Sequence, residues 1–373
     1  MDGVIFGAVV AARILVPLAI PKFPLPAMLA ALVIDGIDQT IFQTFTSLDL
    51  EGYQSYDKAL DVYYLSIAYV ATLRNWTHHT AVGVSRFLYY YRLVGVVIFE
   101  MTQIRAVLLI FPNTFEYFFD FYEGVRSRWD PRRMTTGLVV GAAAFIWIVI
   151  KLPQEWWIHV AQLDATDLIK TEIFGVSTDT SWLDAIANRP LVIVVLAIAL
   201  VVLAVAVRWL FTRRLPPADH PWTFDADKAT QPVDPARVEA VRRRLAERVF
   251  DPELVEKTGL ITLVAIIFGR MLPGVDPTPL QTLIGIFIFI VVNTVISEAL
   301  VRQGASWTSA IREFVIMLAI NLAIVAIGQA ILTSLTDRRL EHALVFAGLI
   351  TLIVTLYDRY RPIHVARFAS HHE

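Results

Sequence analysis

Residues 190–207, PLVIVVLAIALVVLAVAV, carry no charge and no hydrogen-bonding side chain, and this run constrains the fold more than any other feature. A hydrocarbon core takes about 20 helical residues to cross, and within it backbone amides are satisfied only in a helix or a closed barrel. The unbroken apolarity, without alternation of period two, selects the helix. With its continuation to 212 it is one of ten apolar stretches; the others lie near 3–20, 26–45, 57–74, 84–111, 135–152, 257–273, 279–300, 312–334 and 341–358. The chain therefore reads as an all-α, polytopic transmembrane helical bundle of about ten spans, multi-pass in a cell (inner) membrane. Its balance agrees, with 56% hydrophobic residues, 18% charged and a mean hydropathy of +0.59. Soluble domains sit near 45–50% apolar and about 25% charged. The absence of cysteine removes disulfides, zinc–thiolate centres and cysteine nucleophiles. The opening segment has no basic n-region and carries Arg13 within its apolar run, so it reads as a retained helix rather than a signal peptide. Arginine outnumbers lysine and alanine and valine abound, which points to a GC-rich bacterial genome.

Arginine placement orients the bundle, because short cytoplasmic loops collect basic residues. Clusters at 126–133, 208–214, 242–248, 302–312 and 359–367 fall on one side of a ten-span topology with both termini cytoplasmic. Four units follow. Residues 1–134 are polar N-terminal transmembrane helices carrying the candidate site, and 135–212 are two spans with an external connection. Residues 213–256 are a cytoplasmic basic linker with short helices, and 257–373 are C-terminal scaffold helices with a short tail. In the linker, Asp234 and Pro235 open a helix whose Val238, Val241, Leu245 and Val249 form an apolar stripe among arginines. That stripe suits either anionic lipid or packing under the bundle. In the scaffold, Ala319 with Ala323 and Ala326 with Ala330 offer small-residue contacts to a homo-oligomer or a partner in a membrane complex. Trp156 and Trp157 mark an interfacial belt, with Glu155 and His159 on a polar face beside it. Phe115, Phe118, Phe119, Phe121 and Tyr122, interleaved with Glu116, Asp120 and Glu123, suggest an amphipathic helix anchored in lipid. His78 and His79 read as solvated.

Carboxylates at membrane depth cost about 2.5–3.5 kcal/mol each on insertion scales, and they mark function by default. Asp35, Asp38, Gln39 and Gln43 line one ridge of the second stretch, while Asp57, Asp61 and Tyr64 share a face of the third. Gly36, beside Asp35, would allow a close helix approach or a local break. The fourth stretch brings Arg92, Glu100, Gln103 and Arg105. Arg92 and Glu100 stand ~12 Å apart along one axis, so each needs a partner from another helix. Arg13 is a further cation in search of one. The expectation is one shared interior faced by Asp35, Asp38, Asp61, Arg92, Glu100 and Arg105. An interhelical ion-pair network is the structural account of such an interior. Adjacent carboxylates repel, and a proton or a bound cation relieves that repulsion.

Three functions accommodate this interior. The leading one is transport or conduction of an ion, proton or small polar solute, along Asp35, Asp38, Gln39, Asp57, Asp61, Tyr64, Arg92, Glu100 and Arg105. The second is a membrane-embedded enzyme acting on a lipid or lipid-linked phosphate, with Asp35, Asp38, Asp57 and Asp61 holding Mg2+ or Mn2+. Asp35-Gly36 followed by Gly52, Asp57 and Asp61 resembles part of the CDP-alcohol phosphotransferase signature, which implies a divalent-metal role for these aspartates. The chain departs from that pattern at Leu32, in place of the first aspartate, and at Gln39-Thr40, in place of Ala-Arg. Gly52 also stands one residue too far from Asp57. The third function is an accessory subunit of a membrane complex. Membrane lipids are expected partners under all three, and nucleic acid under none.

Overall fold

The computed structural model describes residues 2–46, 53–161, 163, 165–213, 215–230, 232–247, 252–271, 291–292, 311–312, 314–323 and 337–369. The stretch expected at 279–300 (apart from 291–292), much of that at 312–334, the Ala326–Ala330 pair, Val249 and Gly52 lie outside these residues. Among the described residues every regular element is helical and there is no strand. Five helices among the described residues are long and apolar enough to cross a membrane: Asp2–Ala19, Pro24–Phe42, His79–Thr102, Thr136–Val160 and Pro190–Trp209.

Helix α1 (Asp2–Leu15) tightens into a 3-10 turn at Val16–Ala19, where Pro17 cannot continue the α ladder. Helix α2 (Pro24–Phe45) begins on a proline, whose missing N–H is no loss in a first turn. Helix α3 (Tyr53–Asn75) is followed by α4 (His79–Thr102). His78 caps α4 rather than standing in solvent: its Nδ1 accepts from the Ala81 amide at 3.3 Å, and its Nε2 lies 2.9 Å from the Met134 carbonyl. Short α5 (Ala106–Ile110) returns beside α4, and Gly95 makes this possible, because a Cβ there would overlap the Phe111 side chain. After α6 (Thr114–Arg126) comes α7 (Thr136–Val160), which opens α-helical and widens to π turns at Ile146–Lys151 and Trp156–Val160. Pro153 sits between the two π segments; it lacks an amide and crowds the carbonyl four residues back, a mismatch that wider turns absorb. The remaining long helices are α8 (Pro190–Arg213), α9 (Pro235–Glu247), α10 (Pro252–Met271) and α11 (Asp337–Phe368).

The axis of the bundle is α3, which packs against α1, α2, α4, α10 and α11. Its side chains from Ala59 to Leu73, Asp61 excepted, are buried. That setting explains its composition. A helix enclosed by protein can carry Ser66 and Thr72, each bonded to a carbonyl of its own helix, without meeting hydrocarbon. Helices α10 and α11 hide charge in the same way, with Lys257 and Asp358 buried together at 2.8 Å. By contrast α8 exposes apolar side chains on all sides, as a lipid-facing helix would. Two expectations are settled by packing. Most of the α6 aromatics do not face lipid: Phe115, Phe118, Phe119 and Tyr122 are fully buried, Phe121 partly so, and Trp76 stacks on Tyr122 at 3.9 Å. Helix α9 lies against α11 with Val241 buried, so its apolar stripe is answered by protein.

Candidate cation site

Arg13, near the end of α1, is buried, and its guanidinium reaches four carboxylates. Nη1 donates to Asp38 and Asp57; Nη2 donates to Asp35 and, at 2.6 Å, to Asp61. The local reason is helical spacing. Asp35 and Asp38 are three apart on α2, and Asp57 and Asp61 four apart on α3, so each helix turns two acids to one side. The α1–α2–α3 contacts bring those sides together, with Arg13 between them. A guanidinium suits the position, since its five donors and rigid fork can serve several carboxylates at once.

Among the described residues the ion pairs at this nest do not balance in charge. Four ionised aspartates around one arginine sum to −3. Asp38 is buried and also accepts from the Gln39 amide at 2.5 Å. The side chains of Asp35, Asp57 and Asp61 keep 28%, 24% and 39% of their exposure, so this half of the nest reaches solvent. One oxygen from each of these three lies within 4.8 Å of the others. Oxygens at such separations can surround a divalent ion whose ligand distances are about 2.0–2.6 Å, and an all-oxygen set suits Mg2+, Mn2+ or Ca2+.

A second polar group adjoins the nest. Tyr64 stands one turn beyond Asp61 on α3 and donates to Glu116 at 2.8 Å. Glu116 also accepts from the Asn113 side chain at 2.6 Å, and Lys151 approaches it to 3.9 Å. The Asn113 amide donates to Glu155 at 3.0 Å, and Glu155 meets His159 at 3.0 Å. Lys151, Glu155 and His159 all belong to the π-distorted part of α7, a kind of distortion that is frequent at functional sites. On α6, burial pushes the Glu116 carboxyl up against the opposing pull of Lys151 and Tyr64. Burial, with Glu116 and Glu123 nearby, pushes Asp120 up to about 8.

Asp35, Asp38, Asp57 and Asp61 are thus brought together, with Tyr64 one turn away. The other candidates are not. Gln39 is exposed on α2. Arg92 donates to the Phe111 carbonyl at 3.0 Å. Glu100 is buried and faces Lys58 at 3.5 Å. Arg105 is exposed, because α4 ends at Thr102 and Gln103 turns the chain through a left-handed conformation (φ 56°). Gly36 mediates no close approach, since a Cβ there would meet nothing within 4 Å. Sequence reasoning gave too little weight to Arg13 and missed Glu116 and Lys151. The available signal was a lysine inside the apolar stretch 135–152, a charge that a span does not carry without a partner.

The chain matches no protein-family model, no curated protein and no solved structure.

Proposed function

We propose that the protein is a bacterial inner-membrane carrier of protons or cations, with the Arg13–aspartate nest as its binding site. In this reading the bundle has about ten spans, with both termini cytoplasmic. The observation that supports it is the imbalance: four aspartates share one guanidinium and remain partly open to solvent. Such a nest takes up positive charge, as a proton or a metal ion, more readily than a balanced ion pair does. Beside it, Tyr64 with Glu116 and Glu155 with His159 are two pairs of titratable groups, joined to each other through Asn113. Chains of Asp, Glu and His side chains at membrane depth serve as proton relays elsewhere. The test is flux in proteoliposomes under pH and divalent-cation gradients, with Asp35→Asn and Asp38→Asn variants. Flux should appear in the parent and fall to the empty-liposome background in both variants. A parent indistinguishable from empty liposomes would remove the reading.

A second reading rests on the spacing of Asp35, Asp57 and Asp61. Three carboxylates holding Mg2+ or Mn2+ could polarise a phosphoryl oxygen of a lipid-linked substrate. It requires thermal stabilisation by these ions in the parent, lost when the three become asparagine. A melting temperature indifferent to metal would eliminate it.

A further inference from the structure

Away from the nest, residues 126–133, the stretch 219–237 and the last turns of α11 enclose a cavity of about 590 Å³. Five arginines and three aspartates line it. Two of the arginines are answered locally, Arg132 by Asp130 at 2.9 Å and Arg133 by Asp219. Arg126 is buried and its guanidinium is taken up, by Glu123 at 2.6 Å and by the Thr230 hydroxyl at 2.9 Å. Arg367 donates to the Trp76 carbonyl at 2.9 Å, and burial together with nearby Arg74 and Arg126 pulls its guanidinium below the ordinary value while leaving it charged at neutral pH. Arg237 stands in the first turns of α9, whose N-terminus is capped by the third lining aspartate, Asp234, accepting from the Ala236 amide at 3.0 Å. An adjoining cavity of about 560 Å³ shares Arg367, Thr230, Pro232 and Val233 and adds Val238 and Ile363.

We propose that this cavity binds a phosphate-bearing anion, gripped by Arg237 and Arg367. Guanidinium forks meet phosphate oxygens bidentately, and an anion among crowded arginines relieves their mutual repulsion. A bare phosphate fills little of the volume, so the ligand is a phosphoester whose remainder rests on the neighbouring apolar wall. A lipid headgroup and a soluble phosphate compound share that chemistry, and the experiment separates them. The full chain is placed in phosphatidylcholine nanodiscs and its melting temperature followed against inorganic phosphate, with chloride at matched ionic strength as control. A parallel sample uses phosphatidylglycerol nanodiscs. Stabilisation by phosphatidylglycerol alone identifies a lipid headgroup; stabilisation by inorganic phosphate identifies a soluble ligand. In either case Arg237→Gln and Arg367→Gln should weaken the response about tenfold, the loss of one charge-assisted hydrogen bond. Arg243→Gln, on the exposed face of α9, should leave it intact. Arg237→Gln carries the test if Arg367→Gln fails to fold. Absence of any stabilisation of the parent, or a parent-like response in Arg237→Gln, overturns the proposal.

Discussion

Arg13→Gln removes the cation that, among the described residues, bonds all four aspartates, and its consequence can be worked out from their geometry. Two unit charges 4.8 Å apart, the outer limit for the Asp35, Asp57 and Asp61 oxygens, repel by about 3.5 kcal/mol at an effective dielectric near 20. These three aspartates make three such pairs, and buried Asp38 adds to the strain. A fold with a net stability of about 5–15 kcal/mol cannot keep all four ionised without compensation. Losing one partner of a buried ion pair generally costs about 3–5 kcal/mol, and here the change strips four acids at once. In EDTA at pH 8 the variant should therefore melt well below the parent. Lowering the pH supplies protons that remove the repulsion, so its melting temperature should rise as the pH falls through the carboxylate range. Mn2+ or Mg2+ at pH 8 should restore stability as well, by about 2.7 kcal/mol at a hundredfold excess over Kd. Adding Asp38→Asn should recover part of the loss without metal. The assay is scanning fluorimetry of nanodisc-embedded protein across pH and metal concentration. If the variant melts with the parent at pH 8, and neither acid nor metal moves it, the nest does not hold the charge assigned to it. Both functional readings then fail together.

Glu116→Gln keeps the Tyr64 contact but removes a titratable group, so proton flux should drop while the metal response of the nest stays unchanged; flux equal to the parent's would exclude a route through α6. Trp76→Ala should cost about 3–5 kcal/mol, since it empties the stack on Tyr122 and strips Glu123 of its 2.7 Å indole donor. A loss under 1 kcal/mol in denaturant unfolding would contradict the burial of α6. For His364, burial and then Arg86 and Arg367 push the folded pKa down to about 3 from 6.5. The unfolded chain takes up a proton that the folded chain refuses between those values, so stability falls as the pH drops below about 6.5 and the loss continues towards about 3. His364→Asn should flatten the fall of melting temperature between pH 7 and 4, and an unchanged slope would refute the assignment.

Hydropathy is local, which is why Pro190–Arg213 was legible as a helix from its side chains alone. Environment is not local. The stripe Phe115, Phe118, Phe119 and Tyr122 suits lipid and protein equally, and only the positions of α2 and α4 decide between them. The same limit applies at the site. Spacing of three and four residues placed each aspartate pair on a helix face, but whether a cation enters between α2 and α3 depends on how α1 crosses them. Arg105 was misplaced for a simpler reason. The apolar stretch 84–111 reads as one span, whereas the turn at Gln103 ends the helix and leaves Arg105 exposed.

The structural account of the nest, an ion-pair network holding three helices, can be weighed against pairs elsewhere in the same chain. Lys257 and Asp358 tie α10 to α11, both buried, at 2.8 Å. Glu123 accepts from Arg126 at 2.6 Å and from the Trp76 indole at 2.7 Å, one acid to one cation. These arrangements cancel their own charge, as a buried pair must if it is to offset its desolvation. Joining α1 to α2 and α3 would need no more than Arg13 with one or two aspartates. The further acids contribute little that packing requires and add repulsion. An excess of buried negative charge is tolerable only if something positive can arrive, and the partial exposure of Asp35, Asp57 and Asp61 leaves a way for it to do so.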